Sequence, residues 1–269
     1  MLRKLLAFTA TTLVLAAGAS APAHAQAPAA YPTKPVRLIV PFPPGGGTDI
    51  LSRLVAAKLT EQSKWTVVAD NRAGAGGTIG ITEAVKAAPT GYDMVMGQKD
   101  NLVVAPWLYK NLPWDPTKDL VAVAHVAYTP IVIATGSGSR FKSLADVVTA
   151  ARAAPGTITY GSPGNGTTIH LAGDLFEKAA GVQLSHLPYK GFDVSTWYGL
   201  FMPAGTPKSI VSRVNSEVNQ LLALPDMKAA IQAQGAEPQS MGTEAFAKLL
   251  KNDHAKWKTI VQNSGAKIE

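Results

Sequence analysis

Val36-Arg37-Leu38-Ile39-Val40-Pro41-Phe42-Pro43-Pro44-Gly45-Gly46-Gly47-Thr48-Asp49 decides the fold. Val36 to Val40 is β-branched and apolar, the composition of a buried strand, and the proline and glycine stretch from Pro41 to Gly47 ends it. Thr48 or Asp49 is expected to cap a helix, because Ile50, Leu51, Leu54, Val55 and Leu59 then recur at helical spacing. A strand that passes through a glycine loop into a helix leaves backbone N–H groups and the positive end of the helix dipole facing whatever fills the loop. Such a helix start is a seat for an anion.

The alternation continues outward. Thr66 to Ala69 reads as a strand, Asn71 to Gly77 as a loop, and Gly80 to Ala87 as a short helix. Asp93 to Gly97 reads as a buried strand that runs into the polar turn Gln98-Lys99-Asp100-Asn101. Past the Pro- and Asp-containing loop 112–120, Val121 to Val126 and Ile131 to Ala134 read as strands, Ser143 to Ala153 as a helix, and Thr157 to Tyr160 as a strand. A second glycine loop, Gly161 to Thr168, leads into a helix over Ile169 to Ala180 and a strand over Val182 to Leu187. A strand from Trp197 and three helices centred near Val214, Ala230 and Leu250 finish the chain. Strands alternating with helices predict an α/β fold with a parallel or mixed sheet.

Both glycine loops end at helix starts, so a ligand carrying anionic groups is the natural occupant. The dipole is worth only about 0.3–1 kcal/mol at an exposed site. Hydrogen bonds to a charged group, roughly 1.5–3 kcal/mol each, must supply most of the affinity. Thr48, Ser162, Thr167, Thr168 and the loop N–H groups are the donors at hand. Each loop taken alone reads equally well as an ordinary capped turn. Other motifs fail on spacing. No Lys-Ser or Lys-Thr follows the glycines, so neither loop is a P-loop, and Gly74-Ala75-Gly76-Gly77-Thr78-Ile79-Gly80 misses the third Rossmann glycine by one position. Tyr160 stands where a nucleophile elbow needs its first glycine, which leaves Ser162 with His170 or His186 as a formal Ser/His pair without an evident orienting acid. No histidine has a partner at metal-ligand spacing, and no cofactor is expected.

Composition narrows the class. The 269 residues are 46% hydrophobic and 16% charged, which excludes a disordered chain. The absence of cysteine excludes a disulfide scaffold, a Cys-based metal site and a cysteine nucleophile. Arg3 and Lys4 precede an apolar run from Leu5 to Ala17, and Ala23-His24-Ala25 offers a cleavage site, so residues 1–25 are expected to be a secretory signal peptide cut after Ala25. Without Arg3 and Lys4, 23 basic residues face 18 acidic ones, and the net charge drops from +7 to +5 with no dense basic cluster. A nucleic-acid partner is therefore not expected; an exported monomer with a small anionic ligand is.

Several ordered motifs resemble the Bug family of periplasmic solute receptors, which serve or descend from tripartite tricarboxylate transporters. They are Tyr31-Pro32-Thr33-Lys34-Pro35 with the loop after it, Asn71-Arg72-Ala73-Gly74-Ala75-Gly76-Gly77, Gly91-Tyr92, Gly161-Ser162-Pro163-Gly164-Asn165-Gly166-Thr167, His170-Leu171-Ala172-Gly173 and Pro188-Tyr189-Lys190-Gly191. The resemblance implies a two-lobed Venus-flytrap fold of type II character, a receptor rather than an enzyme, in the periplasm, with a carboxylate-bearing ligand. A membrane transporter or a sensor kinase would be its partner. It also implies a ligand site at Phe42, Pro43, Gly45, Gly46, Gly47 and Thr48 from one lobe, Ser162, Asn165, Gly166, Thr167 and Thr168 from the other, and Gln98, Asn101 and Thr129 in the cleft. Lobe 1 would comprise 31–128 with 192–269, and lobe 2 would comprise 129–191. In one respect the chain departs from the family. Relatives have several dozen residues between the Pro-Tyr-Lys-Gly motif and the motif that here reads Phe192-Asp193-Val194-Ser195-Thr196-Trp197-Tyr198-Gly199, whereas in this chain the two adjoin. An incomplete second lobe with weakened or absent closure is expected. An exported hydrolase using Ser162 and His170, and a receptor that has lost its ligand, are the competing readings.

Overall fold

The computed structural model describes residues 31–162, 164–189 and 196–264. The expected signal peptide, Pro163 of the second loop, and the junction from Lys190 to Ser195 lie outside the described residues. Two sheets organise the rest. The larger has the order β2-β1-β3-β7-β4-β8, built from β1 (Val36–Val40), β2 (Val67–Asn71), β3 (Asp93–Gln98), β4 (Leu120–Tyr128), β7 (Trp197–Pro203) and β8 (Glu237–Pro238). The β1 strand pairs in parallel with β2 and β3, Val36 facing Val67 and Leu38 facing Met94. The late strand β7 inserts antiparallel between β3 and β4. Every residue of β7 is buried, as both faces of a covered central strand require, and its sequence is accordingly apolar without alternation.

Helices α1 (Gly47–Ser63), α2 (Thr78–Lys86), α6 (Lys208–Ala223), α7 (Pro225–Gln232) and α8 (Thr243–Ser264) cover this sheet. In the amphipathic α6, Val211, Val214, Val218, Leu221 and Leu222 form the buried face. Ile39, Val95, Leu102, Trp197, Phe201, Phe246 and Trp257 belong to one apolar cluster between sheet and helices.

The smaller sheet is a parallel pair, β5 (Thr159–Ser162) and β6 (Ser185–Pro188), with α4 (Leu144–Ala153) and α5 (Thr168–Ala180). Ser143 and Asp146 form a reciprocal capping box on α4. Leu171 of α5 is fully buried and joins the cluster of the larger sheet. Burial of one leucine contributes about 1.5–3 kcal/mol to holding α5 there.

The structure corrects three expectations. Ile131 to Ala134 forms no strand; Val132 and Ile133 are 75% and 63% exposed. An apolar β-branched run becomes a strand only where a neighbour takes its hydrogen bonds, and among the described residues none lies beside it. Neither Thr48 nor Asp49 caps α1: the helix starts at Gly47, its N-cap is Gly46, and both polar residues lie buried inside the first turn. The segment after Gln98 is not a simple turn either. Asp100–Val104 is a wide π-type helical turn that leads into α3 (Ala105–Leu108).

Candidate functional site

Loop 1, between β1 and α1, is shaped from behind by Asp49. One oxygen of its carboxylate accepts the Gly45 N–H at 2.9 Å, and the other accepts Arg53 Nε at 2.9 Å and Asn71 Nδ2 at 2.9 Å. Burial alone would raise the Asp49 carboxyl, but the hydrogen bonds from Arg53, Gly45 and Asn71 outweigh it and hold the group below the usual carboxylate range. Asn71 also donates to the Phe42 carbonyl at 3.0 Å. Gly46 and Gly47 present the first N–H groups of a 17-residue helix at the loop surface, beside the exposed Pro43 and Gly45.

At the end of β3, the Gln98 N–H donates to Asn101 Oδ1 at 3.0 Å. Asn101 is fully buried, and its Nδ2 has no hydrogen-bond partner. Gly77, at φ +90°, lets this amide approach loop 1. A Cβ on Gly77 would lie 2.8 Å from Asn101 Nδ2 and 2.9 Å from Phe42 Cε2, so only glycine fits.

Loop 2, between β5 and α5, is held by side chains. Ser162 Oγ lies 2.6 Å from His186 Nε2 and accepts the Gly164 N–H at 3.1 Å. The Gly166 N–H donates to His170 Nδ1 at 3.0 Å, and Thr167 caps α5 by accepting the His170 N–H. The rings of His170 and His186 stack with centroids 4.1 Å apart. Burial, with the neighbouring His170 adding to it, pushes His186 below its ordinary value, so it is a neutral base. His186 is thus the imidazole in contact with Ser162, whereas the Asp174 carboxylate lies 3.7 Å from His170 Nε2.

Beside the apolar contact of Leu171, a polar contact joins the two halves. Asp100 Oδ1 accepts the Thr168 N–H at 3.0 Å and also the Thr168 hydroxyl. Consecutive residues of the π-type turn thus meet different loops, Asp100 at the start of α5 and Asn101 beside Phe42.

Of the residues expected in the cleft, Phe42, Gln98 and Asn101 come together near loop 1, and Ser162, Gly166, Thr167 and Thr168 form loop 2, with Asn165 exposed at its tip. Thr129 sits at the same end of the larger sheet as Gln98: its N–H bonds to the Thr196 carbonyl at 3.0 Å, where β4 ends and β7 begins, with Tyr198 paired to both Ala127 and Gln98. Sequence reasoning did not single out Asp100 or Gly77. A charged residue directly after a buried strand, inside a turn already assigned to the cleft, was the available signal for Asp100. No cluster of three or more metal-ligating side chains occurs among the described residues, and no helix there is long and apolar enough to cross a membrane.

With this geometry in view, the chain compares closely with known proteins. Residues 51–196 and 189–266 match the model of the tripartite tricarboxylate transporter family receptor. A UPF0065 protein of a Pseudomonas species is 30% identical, with 88% of each chain covered. BugT of Bordetella pertussis is 27% identical, with 95% of this chain and 96% of BugT covered. An R. palustris protein solved with adipate superposes with a TM-score of 0.80 at 25% identity, covering 89% of this chain and all of the other. The fold is that of the α/β periplasmic binding proteins, and the chain belongs to the tripartite tricarboxylate transporter receptor family.

Proposed function

We propose that the chain is an exported periplasmic receptor, without catalytic activity, that captures a carboxylate-bearing small molecule between loop 1 and loop 2 and delivers it to a tripartite membrane transporter or a sensing partner. The observation that carries this reading is that the start of α5 already grips a carboxylate, that of Asp100, through the Thr168 N–H and hydroxyl. Loop 1 offers the same kind of helix start. The adipate in the R. palustris neighbour supports the ligand class.

The division into lobe 1 (31–128 with 192–269) and a shortened lobe 2 (129–191) belongs to the same proposal. The family model matches in two stretches that meet at 189–196, and the alignments with the two relatives above run over 298 and 316 positions, more than the 269 residues available here. Ile131, Val132, Ile133, Leu187 and Tyr189 are exposed, as the face of a lobe that has lost a covering block would be.

Titration calorimetry with small carboxylates and their uncharged amides tests the reading. The carboxylates bind and the amides do not. Gly47→Pro removes one N–H from loop 1 at a helix position that tolerates proline, after an extended Gly46, and weakens binding about tenfold. Equal affinity for acid and amide, or no binding of either, sinks the reading.

The Ser162–His186 contact favours a second reading, an exported hydrolase. A Ser162→Ala variant that abolishes turnover of ester substrates would establish it; retained ligand binding with no ester turnover in either protein would remove it.

A further inference from the structure

We propose that the run Thr129-Pro130-Ile131-Val132-Ile133-Ala134-Thr135 is a docking edge for a second copy of this chain. The two copies pair antiparallel about a two-fold axis at Val132 and form a dimer, in place of the monomer expected from the sequence. The inference goes beyond the receptor reading: no ligand enters it, and oligomeric state is read independently of binding.

The run has the composition of a strand and no strand beside it. Among the described residues it belongs to neither sheet, and no backbone hydrogen bond joins Ile131, Val132, Ile133 or Ala134 to another residue. Val132 and Ile133 are 75% and 63% exposed, and Ile131 and Ile133 open on a groove of about 520 Å³ that Phe141, Leu144 and Val147 also line. Natural proteins guard such an edge with charge, most often lysine. Here no charged residue and no histidine occurs from Val126 to Ser139, so nothing repels an incoming strand of the same sequence.

The order of residues points to a second copy as the occupant. A two-fold contact must be self-complementary. Antiparallel pairing centred on Val132 sets Val132 against Val132, Ile131 against Ile133 of the second copy, and Thr129 against its Thr135. Like β-branched side chains thus meet across the axis, the pairs that stabilise a sheet. Pro130 falls opposite Ala134 and fixes the phase of the ladder. Lacking an N–H, it cannot sit in a bonded pair, so Val132 also faces its counterpart in a non-bonded pair, and Ile131 and Ile133 exchange N–H···O bonds. One strand pair with its flanking side chains falls short of the about 800 Å² per partner of a standard interface, so dimerisation is expected in the micromolar range.

Sedimentation velocity of the exported chain between about 5 and 200 µM tests this, with Val132→Lys as the variant that sets two like charges face to face. The unaltered chain is expected to shift from monomer to dimer across the range, and Val132→Lys to weaken dimerisation at least about tenfold. Val132 is largely exposed, so the fold tolerates the charge, which thermal denaturation verifies. Because the chain has no cysteine, a single introduced one reads the register. Val132→Cys places two thiols across a pair with Cα atoms about 4.5 Å apart, inside the about 4.4–6.8 Å that a disulfide spans, whereas Ile131→Cys faces Ile133 and finds no thiol opposite. Only Val132→Cys is expected to oxidise to a covalent dimer. A monomer at every concentration, which would leave the edge to a different protein, overturns the proposal. So does a dimer that survives Val132→Lys, or equal cross-linking of the two cysteine variants.

Discussion

Loop 1 and loop 2 share one local plan, a strand, a glycine loop and a helix, yet they are held in different ways. Loop 1 leaves a strand flanked on both sides in a six-stranded sheet, and its conformation is set by Asp49, whose carboxylate ties Gly45, Arg53 and Asn71 together. Loop 2 leaves one of a parallel pair of strands and is set by imidazoles, His186 on Ser162 and His170 on Gly166. The first follows a strand hydrogen-bonded on both sides; the second depends on side chains and on one leucine inserted in the larger core. Two-stranded sheets are marginal unless packed against something, which is the role Leu171 and α5 fill here.

The strongest way to break the contrast is Leu171→Ala. It should cost about 2–5 kcal/mol, and the loss should fall on the smaller sheet. Hydrogen exchange is expected to accelerate for amides between 144 and 188 while those of β1 and β3 keep their protection; uniform acceleration would mean the two regions open as one.

Asp49→Ala acts on the other side of the comparison. Three hydrogen bonds to a largely buried carboxylate disappear while Arg53, half exposed, regains water, so the expected loss is roughly 2–3 kcal/mol in urea denaturation. No change in the urea midpoint would show that the sheet alone positions loop 1.

Acid titrates both regions. Burial pushes His125 of β4 down to about 4, and it lowers His186 of β6 as well. Groups whose folded pKa is depressed bind fewer protons in the native state than in the unfolded one, so stability rises with pH through this window. It is complete above about pH 6.5 and is lost as pH falls toward 4. By pH 5 the His125 contribution amounts to about 2 kcal/mol. Urea midpoints at pH 7.5 and 5 should differ less for His125→Asn than for the unaltered chain, and an identical difference would remove His125 from the account.

The smallest effect is expected at the exposed run after β4. Ile133→Thr should change stability by less than about 0.5 kcal/mol while raising solubility, since that side chain contacts mostly water.

The first strand, its loop and the helix after it were legible because composition changes twice within a few residues, from β-branched to Pro/Gly to helical periodicity. The insertion of β7 between β3 and β4 was not, since pairing over a hundred residues leaves no local trace. Ile131 to Ala134 reads as a strand because pattern reports the residues and not the absence of a neighbour. Thr48 was misplaced for a related reason. A Thr-Asp pair reads as a cap, yet Asp49 reaches back to Gly45 from inside the helix and leaves the cap to Gly46. At the site, the two helix starts were legible as anion seats, whereas the occupant of the second comes from a residue 68 positions earlier and only the folded chain brings it there.

The wide turn at Asp100–Val104 has one further consequence. Because it carries one residue toward each loop, any energetic coupling between the Asn101 contact at loop 1 and the Asp100 contact at loop 2 has, by thermodynamic reciprocity, the same size in both directions. Five residues thereby touch both halves of the molecule, the start of α5 through Asp100 and the neighbourhood of Phe42 through Asn101.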